Sequence, residues 1–235
     1  MNKQSNTYTI IYIIVLVVIV GTALAFTSLS LHNRQQENAD IDKMRQILAS
    51  ANITPAEGEV IDDFNKYIVA QEVVNENGEV TGSDAFDINV AAESKVTGTE
   101  RKLPVFVCRT ADRQTRYILP VYGAGLWGPI WGYVAFDADG STIVGAYFAH
   151  QGETPGLGAE IEKPAFRDQF QGKQVFKNGT FHPVAVVKAG QHPNGDEDFV
   201  DGVSGGTITS KGVGAMLDNC LTPYKKYLES INNNQ

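Results

Sequence analysis

A chain of 235 residues, 43% of them apolar, has room for one ordinary globular domain with extensions or for two small ones, and its apolar content excludes a disordered protein. A formal net charge of -8 and a pI near 5.0 exclude the basic face of a nucleic-acid binder and suit a soluble redox or binding domain. The two cysteines, Cys108 and Cys220, lie far apart and outside any CxxC or Cys/His spacing, so neither an iron–sulfur cluster nor a structural zinc is indicated. They read as two buried thiols, with a disulfide permitted only by an extracytoplasmic location.

From Thr9 to Phe26 every residue is apolar or uncharged, and the uncharged run extends from Ser5 to Leu31. That length crosses the roughly 30 Å hydrocarbon layer as a helix. A cleaved signal peptide competes with a retained anchor, because Lys3 supplies a basic n-region and Ala23-Leu24-Ala25 matches the small-residue cleavage pattern. The anchor, residues 1–34, is the reading adopted. Both readings export everything after residue 30, although Arg34, Lys43 and Arg45 outnumber Lys3 and weaken the charge argument for that orientation.

From Gln35 to Ala51, the apolar residues Ile41, Met44, Ile47, Leu48 and Ala51 share one helical face and predict a short helix leaving the membrane. Thr54-Pro55-Ala56-Glu57 predicts a second helix start, with Thr as cap, Pro at the first position and Glu completing a capping box; Val60, Phe64, Tyr67 and Ile68 continue its face. Glu72 to Arg101 is polar and turn-rich, with Asn77-Gly78 as a hairpin turn or loop, and reads as a variable insertion. Residues 35–102 thus form a helical, variable part ahead of a compact domain at 103–235.

In that domain Pro104–Cys108, Arg116–Val121, Ile130–Phe136, Thr142–Ala149 and Pro183–Lys188 read as strands of an antiparallel sheet, with Asp137-Ala138-Asp139-Gly140 turning between two of them. Phe166 to Phe170 reads as a short helix. Ser210 to Ile231 reads as a long one, with Val213, Leu217, Cys220, Leu221, Tyr224, Leu228 and Ile231 on the stripe that packs on the sheet. Strands with segregated helices, and no GxGxxG after the first strand, make an α+β fold behind an N-terminal transmembrane helix.

Three glycine-rich blocks carry chemistry. Asp201-Gly202-Val203-Ser204-Gly205-Gly206-Thr207-Ile208-Thr209-Ser210 joins a soft turn to hydroxyls and a helix start, where exposed N–H groups and the helix dipole favour a phosphate. A capped Gly-Gly turn is also ordinary punctuation. His150-Gln151-Gly152-Glu153-Thr154-Pro155-Gly156-Leu157-Gly158 is either a turn or a loop gripping a polar heterocycle. In the block from Gly123 to Trp131, Trp127 either stacks on a flat ring or packs in the core. His150, His182 and His192 have no ligand spacing and read as surface or loop residues, and His32 as a residue of the membrane interface.

In this order, Gly125-Leu126-Trp127, Gly152 through Gly158, Val186-Val187-Lys188 and Asp201 through Ser210, behind a membrane helix, resemble the C subunit (NqrC) of the Na+-translocating NADH:quinone oxidoreductases and its flavin-binding domain. The resemblance implies FMN attached through its phosphate to Thr207, with Asp201, Ser204, Gly205, Gly206 and Thr207 in the signal used by a flavin transferase. Gly206 stands where the family usually has alanine. It further implies Leu126, Trp127, Glu153, Thr154, Leu157 and Gly158 beside the isoalloxazine, Ser204, Gly205, Gly206 and Thr209 around the phosphate, and Lys188 with Lys211 as added positive charge. No catalytic acid, base, nucleophile or metal site is expected. The implied role is an electron carrier in the bacterial inner membrane, single-pass, with its C-terminal domain extracytoplasmic. Its partners would be membrane lipid, the transferase, and the subunits that handle NADH, quinone and sodium; no nucleic acid is expected. Two other readings are the G subunit of the related ferredoxin:NAD+ oxidoreductase (Rnf-type) complex, and a cofactor-free membrane-anchored assembly module in which all three blocks are turns.

Overall fold

The computed structural model describes residues 6–233, so Lys3 of the signal-peptide reading lies outside the described residues. The first element, α1 (Asn6–Ser50), is one continuous helix where a membrane segment and a separate short helix were expected. No glycine or proline interrupts the chain between Thr22 and Ser50, and the polar stretch around Arg34-Gln35-Gln36-Glu37 consists of good helix formers, so nothing ends the helix. Its N-terminal part is long and apolar enough to cross a membrane, and those apolar side chains are exposed. The chain divides into a unit ending at Lys43 and a compact unit beginning at Met44.

Within the compact unit, the last turns of α1 bury Ile47 and Leu48 and stop at Asn52, a left-handed residue with φ of 57°. The next helix, α2 (Val60–Tyr67), begins beyond the expected Thr54-Pro55 start. Gly58, at φ of 85°, breaks the intervening turn, so the proline introduces a loop instead. Then come β1 (Ile68–Val74), β2 (Val80–Gly82), the short α3 (Val90–Glu93), β3 (Leu103–Arg109), β4 (Thr115–Ala124), β5 (Pro129–Phe136) and β6 (Ile143–His150). They form a six-stranded antiparallel sheet in the order β2-β1-β3-β4-β5-β6.

Four of the five expected strands are β3 to β6, and the Asp137–Gly140 turn closes the β5–β6 hairpin with Gly140 at φ of 64°. The Asn77-Gly78 turn joins β1 to β2. Sequence reading missed β1, because Gln71 and Glu72 blur its alternation. The acid is accommodated by the Tyr227 hydroxyl, which donates to Glu72 Oε2 at 3.1 Å.

Alternate residues of the central strands feed two cores. Val105, Leu119, Val121, Val134 and Phe136 face one side, and Phe106, Cys108, Ile118, Tyr133 and Ala135 face the other, with the end of α1 and α2. After β6 the chain crosses the first side through a 3-10 turn (Gly158–Glu162), α4 (Pro164–Arg167) and a second 3-10 turn (Asp168–Phe170), packing Phe166 and Phe170 on Phe148. Two small strand pairs follow: β7 (Phe176–Lys177) with β8 (Thr180–Phe181), and β9 (Ala185–Val187) with β10 (Phe199–Asp201).

The expected Pro183–Lys188 strand is thus β9, and it pairs in parallel with β10 rather than joining the antiparallel sheet. The edge at β6 is already met by Gly172 and Lys173, which exchange backbone hydrogen bonds with Ile143. The expected single C-terminal helix starts earlier and is broken: α5 (Thr207–Leu221) leads through a 3-10 turn at Thr222–Tyr224 into α6 (Lys225–Asn232). Pro223 lacks an N–H and cannot continue the ladder. The stripe from Val213 to Leu228 is buried as expected. Cys108 and Cys220 are free, buried and on opposite faces of the sheet, and burial raises the Cys108 thiol to about 11.

Candidate functional site

The turn from Asp201 to Thr207 is held by its own backbone, by β9 and by the Ser210 hydroxyl. Gly202 N–H donates to Val187 O at 2.6 Å, Val203 N–H to Ser210 Oγ at 2.9 Å, and Gly206 N–H to Val203 O at 3.0 Å. Gly205 sits at φ of 77°, a conformation costly for any residue with a Cβ. The first residue of α5 is Thr207, so the threonine lies in the helix's first turn rather than ahead of a helix beginning at Ser210. Gly206 is the N-cap and offers no side-chain acceptor, and the first-turn N–H groups have no earlier carbonyl within the helix to bond. An alanine at Gly206 would bring its methyl to 3.2 Å from Leu157 O and Val203 Cβ, so these neighbours would have to give by a few tenths of an ångström.

Thr207 is exposed and borders a cavity of about 340 Å3 lined also by Val186, Val187, Lys188, Ala189, Gln191, Gly202, Val203, Ser204, Gly205, Ser210 and Lys211. Two cations, two exposed hydroxyls and an uncapped helix start face this space together. A larger cavity of about 690 Å3, between Phe64 and Phe86 along β1, contains none of the expected site residues.

The second and third blocks meet the first. Leu126 and Trp127 form the tip of the β4–β5 hairpin, closed by Gly125 N–H donating to Gly128 O at 2.8 Å. Both are exposed, Trp127 at 69%, so its side chain is not core. In the loop after β6, Thr154 O accepts from the N–H groups of Leu157 and Ala159, while the Thr154 side chain is exposed. Leu157, also exposed, lies against Gly205, where an added Cβ would stand 2.6 Å from Leu157 Cδ2.

Glu153 is buried beneath these segments. Its Oε2 accepts from Thr209 Oγ1 at 2.5 Å and its Oε1 from Trp127 N–H at 2.8 Å. Burial opposes ionisation of this carboxyl, but the Thr209 hydroxyl and the N–H groups of Trp127, Leu126 and Gly128 outweigh it and hold the group below the ordinary glutamate value. Gly158 packs against both partners of that bond. The backbone N–H of Glu153 donates to His150 Nδ1 at 3.1 Å, and His150 Nε2 lies 3.6 Å from Glu162 Oε2. His150 is therefore part of the loop's base.

Lys188, Ser204, Gly205 and Thr207 thus share the cavity; Leu126, Trp127 and Leu157 are exposed on the adjoining segments; Glu153, Gly158 and Thr209 lie buried. Asp201 ends β10, exposed, with Oδ1 accepting from Gly190 N–H at 3.3 Å. Its backbone is held from the other side by Gln169, whose Oε1 accepts from Asp201 N–H at 2.9 Å and whose Nε2 donates to Asp201 O at 3.3 Å. Sequence reasoning missed Ile208, an apolar residue 58% exposed in the first turn of α5. Its position off the buried stripe becomes a signal only once the helix is started at Thr207.

The donor set fits a phosphate joined to an apolar planar ring: hydroxyls, lysines and helix N–H groups at one end, and the exposed Leu126, Trp127, Leu157 and Ile208 nearby. Among the described residues no group of His, Cys, Asp or Glu could hold a metal ion. A family model described as an FMN-binding domain matches residues 125–222, a span that contains the blocks at 150–158 and 201–210 and the third block from Gly125 onward. The chain is 34% identical over 233 residues to the C subunit of the Na(+)-translocating NADH-quinone reductase of Vibrio anguillarum, covering 92% of this chain and 91% of that protein. The crystal structure of the corresponding C subunit from Parabacteroides distasonis is similar at a TM-score of 0.78 and 50% identity, over 84% of this chain and 96% of the other. That of Shewanella oneidensis NqrC is similar at 0.68 and 26%, over 83% and 99%. Fold, site-bearing segments and near full-length similarity agree, and the chain belongs to the NqrC family, the C subunits of the Na(+)-translocating NADH-quinone reductases.

Proposed function

We propose that this chain carries FMN in a phosphoester bond to Thr207 and serves as an electron-carrier subunit of a Na+-translocating NADH-quinone reductase. The observation that carries this reading is the exposed Thr207 at the uncapped start of α5, on a cavity shared with Lys188 and Lys211. The relatives named above as reductase subunits and the FMN-binding family model supply the cofactor class and the complex. Residues 1–34 act as a single-pass anchor in the inner membrane, and the compact domain lies on the extracytoplasmic side.

When bound, FMN supplies reversible electron transfer that no side chain here offers. The chain's own residues hold and tune it. Thr207 provides the ester oxygen, while the α5 N-terminus offsets the phosphate charge by about 0.3–1 kcal/mol through its dipole. Lys188 and Lys211 add charge compensation, Ser204 offers an exposed hydroxyl, and Gly205 lets the backbone approach closely. Leu126, Trp127, Leu157 and Ile208 give the ring an apolar border. Asp201, exposed at the end of β10 and fixed by Gln169 and Gly190, belongs with Ser204 to Thr207 to the surface read by the flavin transferase. A covalent tether suits an exported protein, which has no cytoplasmic pool of FMN to draw on.

Coexpression of the full chain with a flavin transferase, followed by intact-mass measurement, tests this reading. An FMN-sized adduct is expected on the wild type and none on Thr207→Ala. Absence of the adduct from wild type, or its persistence in Thr207→Ala, overturns the attachment.

A further inference from the structure

Glu153 belongs to a block expected to border a ligand, yet only 4% of it is exposed and both carboxylate oxygens are used by protein donors. One donor is on the first turn of α5: Thr209, 1% exposed, donates to Oε2 at 2.5 Å. The others are on the β4–β5 hairpin: Trp127 N–H donates to Oε1 at 2.8 Å, and the N–H groups of Leu126 and Gly128 also favour the ionised carboxylate. Trp127 N–H makes the hydrogen bond, and the neighbouring N–H groups on the same tight turn reinforce it electrostatically. A Cβ at Gly125 would lie 2.5 Å from Glu153 Oε1, and one at Gly158 would collide with Oε2 and with the Thr209 hydroxyl, so the absence of side chains there makes room for the carboxylate.

We propose that Glu153 is a positioning residue: its buried carboxylate ties the hairpin that carries Leu126 and Trp127 to the first turn of α5, holding those exposed side chains at a fixed place relative to Thr207. The physical reason is economy of contact. Trp127 is 69% exposed and Leu126 47%, so side-chain packing alone leaves the hairpin tip poorly held. Charge-assisted hydrogen bonds in a buried setting are directional and strong enough to replace that packing. The anchoring loop is itself fixed at its root, through the Glu153 N–H on His150 and His150 against Glu162. This role rests on the Thr207 attachment for its purpose, while the lock itself exists without flavin and is measured without it.

Hydrogen–deuterium exchange on the full chain, purified without a transferase and so free of flavin, reads the lock directly. Glu153→Gln keeps the side-chain length but removes the charge and puts a donor among donors; Thr209→Val removes only the partner hydroxyl. Loss of a buried, charge-assisted bond is expected to speed exchange in peptides covering 124–130 and the start of α5 by about tenfold or more, leaving β3 and the end of α1 unchanged. Glu153→Asp, which keeps the charge, should rescue part of the protection. Unchanged hairpin exchange in both first variants, or an equal rise across the whole sheet, overturns the proposal. With the transferase present, Glu153→Gln should still take the adduct at Thr207 but change the visible circular dichroism of the bound flavin; an unchanged spectrum overturns the positioning role. Loss of the adduct from wild type would instead strike the attachment reading and leave the exchange result standing.

Discussion

The compact unit contains two helix ends treated in opposite ways. At the C-terminal end of α1 the carbonyls find partners inside the protein: Ile53 N–H donates to Leu48 O at 3.0 Å, the Arg116 guanidinium donates to Ala51 O, and the Ser50 hydroxyl donates to Ile47 O at 2.6 Å. Asn52 then seals the end by donating from Nδ2 to Val144 O at 2.8 Å. At the N-terminal end of α5 the cap is a glycine, a cavity lies in front, and two lysines line it. A helix end whose polar groups are used up internally is architecture, whereas one left facing a cavity of opposite chemistry is available to a ligand. The difference also explains why α5 starts on a flexible Gly-Gly turn while α1 stops on a residue with a side chain that can reach the sheet.

The strongest break in this comparison is at the closed end. Arg116→Met keeps much of the apolar stem but leaves the Ala51 carbonyl without its charged donor, and should lower stability by about 1–3 kcal/mol in urea denaturation. A loss that small surface changes would match, within about 0.5 kcal/mol, would show that α1 is not held this way.

Acid sharpens the open end. The folded-state pKa of Glu153 lies below its ordinary value of 4.5, so its ionised form favours the folded protein. That contribution is complete above the unfolded-state value and is lost as pH falls through the lowered folded value. The stability difference between wild type and Glu153→Gln, followed by thermal unfolding, should therefore be constant from neutral pH to about pH 5 and shrink at lower pH. A difference that grows on acidification would contradict the assignment of donors to this carboxylate.

The smallest expected effect on stability separates a ligand end from a structural one most cleanly. Lys211→Gln removes an exposed cation at the cavity and should change stability by no more than about 0.5 kcal/mol. The same substitution should slow flavin attachment several-fold in a timed transferase assay. Equal attachment rates for wild type and variant would remove Lys211 from the phosphate's surroundings.

Much of this was legible in the sequence because periodicity and turn chemistry are local. The strands β3 to β6, the Asp137–Gly140 turn and the buried stripe of α5 follow from alternation, glycine and helical spacing. What escaped was set by distant partners. The strand β1 carries Gln71 and Glu72 at positions that look polar until Tyr227, from the far end of the chain, is seen to satisfy the acid. The parallel pairing of β9 depends on β10 and on the residues that occupy the β6 edge, none of which Pro183–Lys188 reveals. At the site, glycine and hydroxyl content marked three blocks that the fold brings into contact. The same composition gave no sign that Glu153 and Thr209 face each other in the interior while Ile208 faces out, since that division depends on which residue begins α5.

Tandem mass spectrometry of the peptide spanning 201–211, from the full chain coexpressed with a flavin transferase, tests the central claim most directly. The open helix end should carry FMN as a phosphoester on Thr207, with Ser204, Thr209 and Ser210 unmodified. An unmodified peptide, or an adduct placed on any of those other hydroxyls, would contradict it.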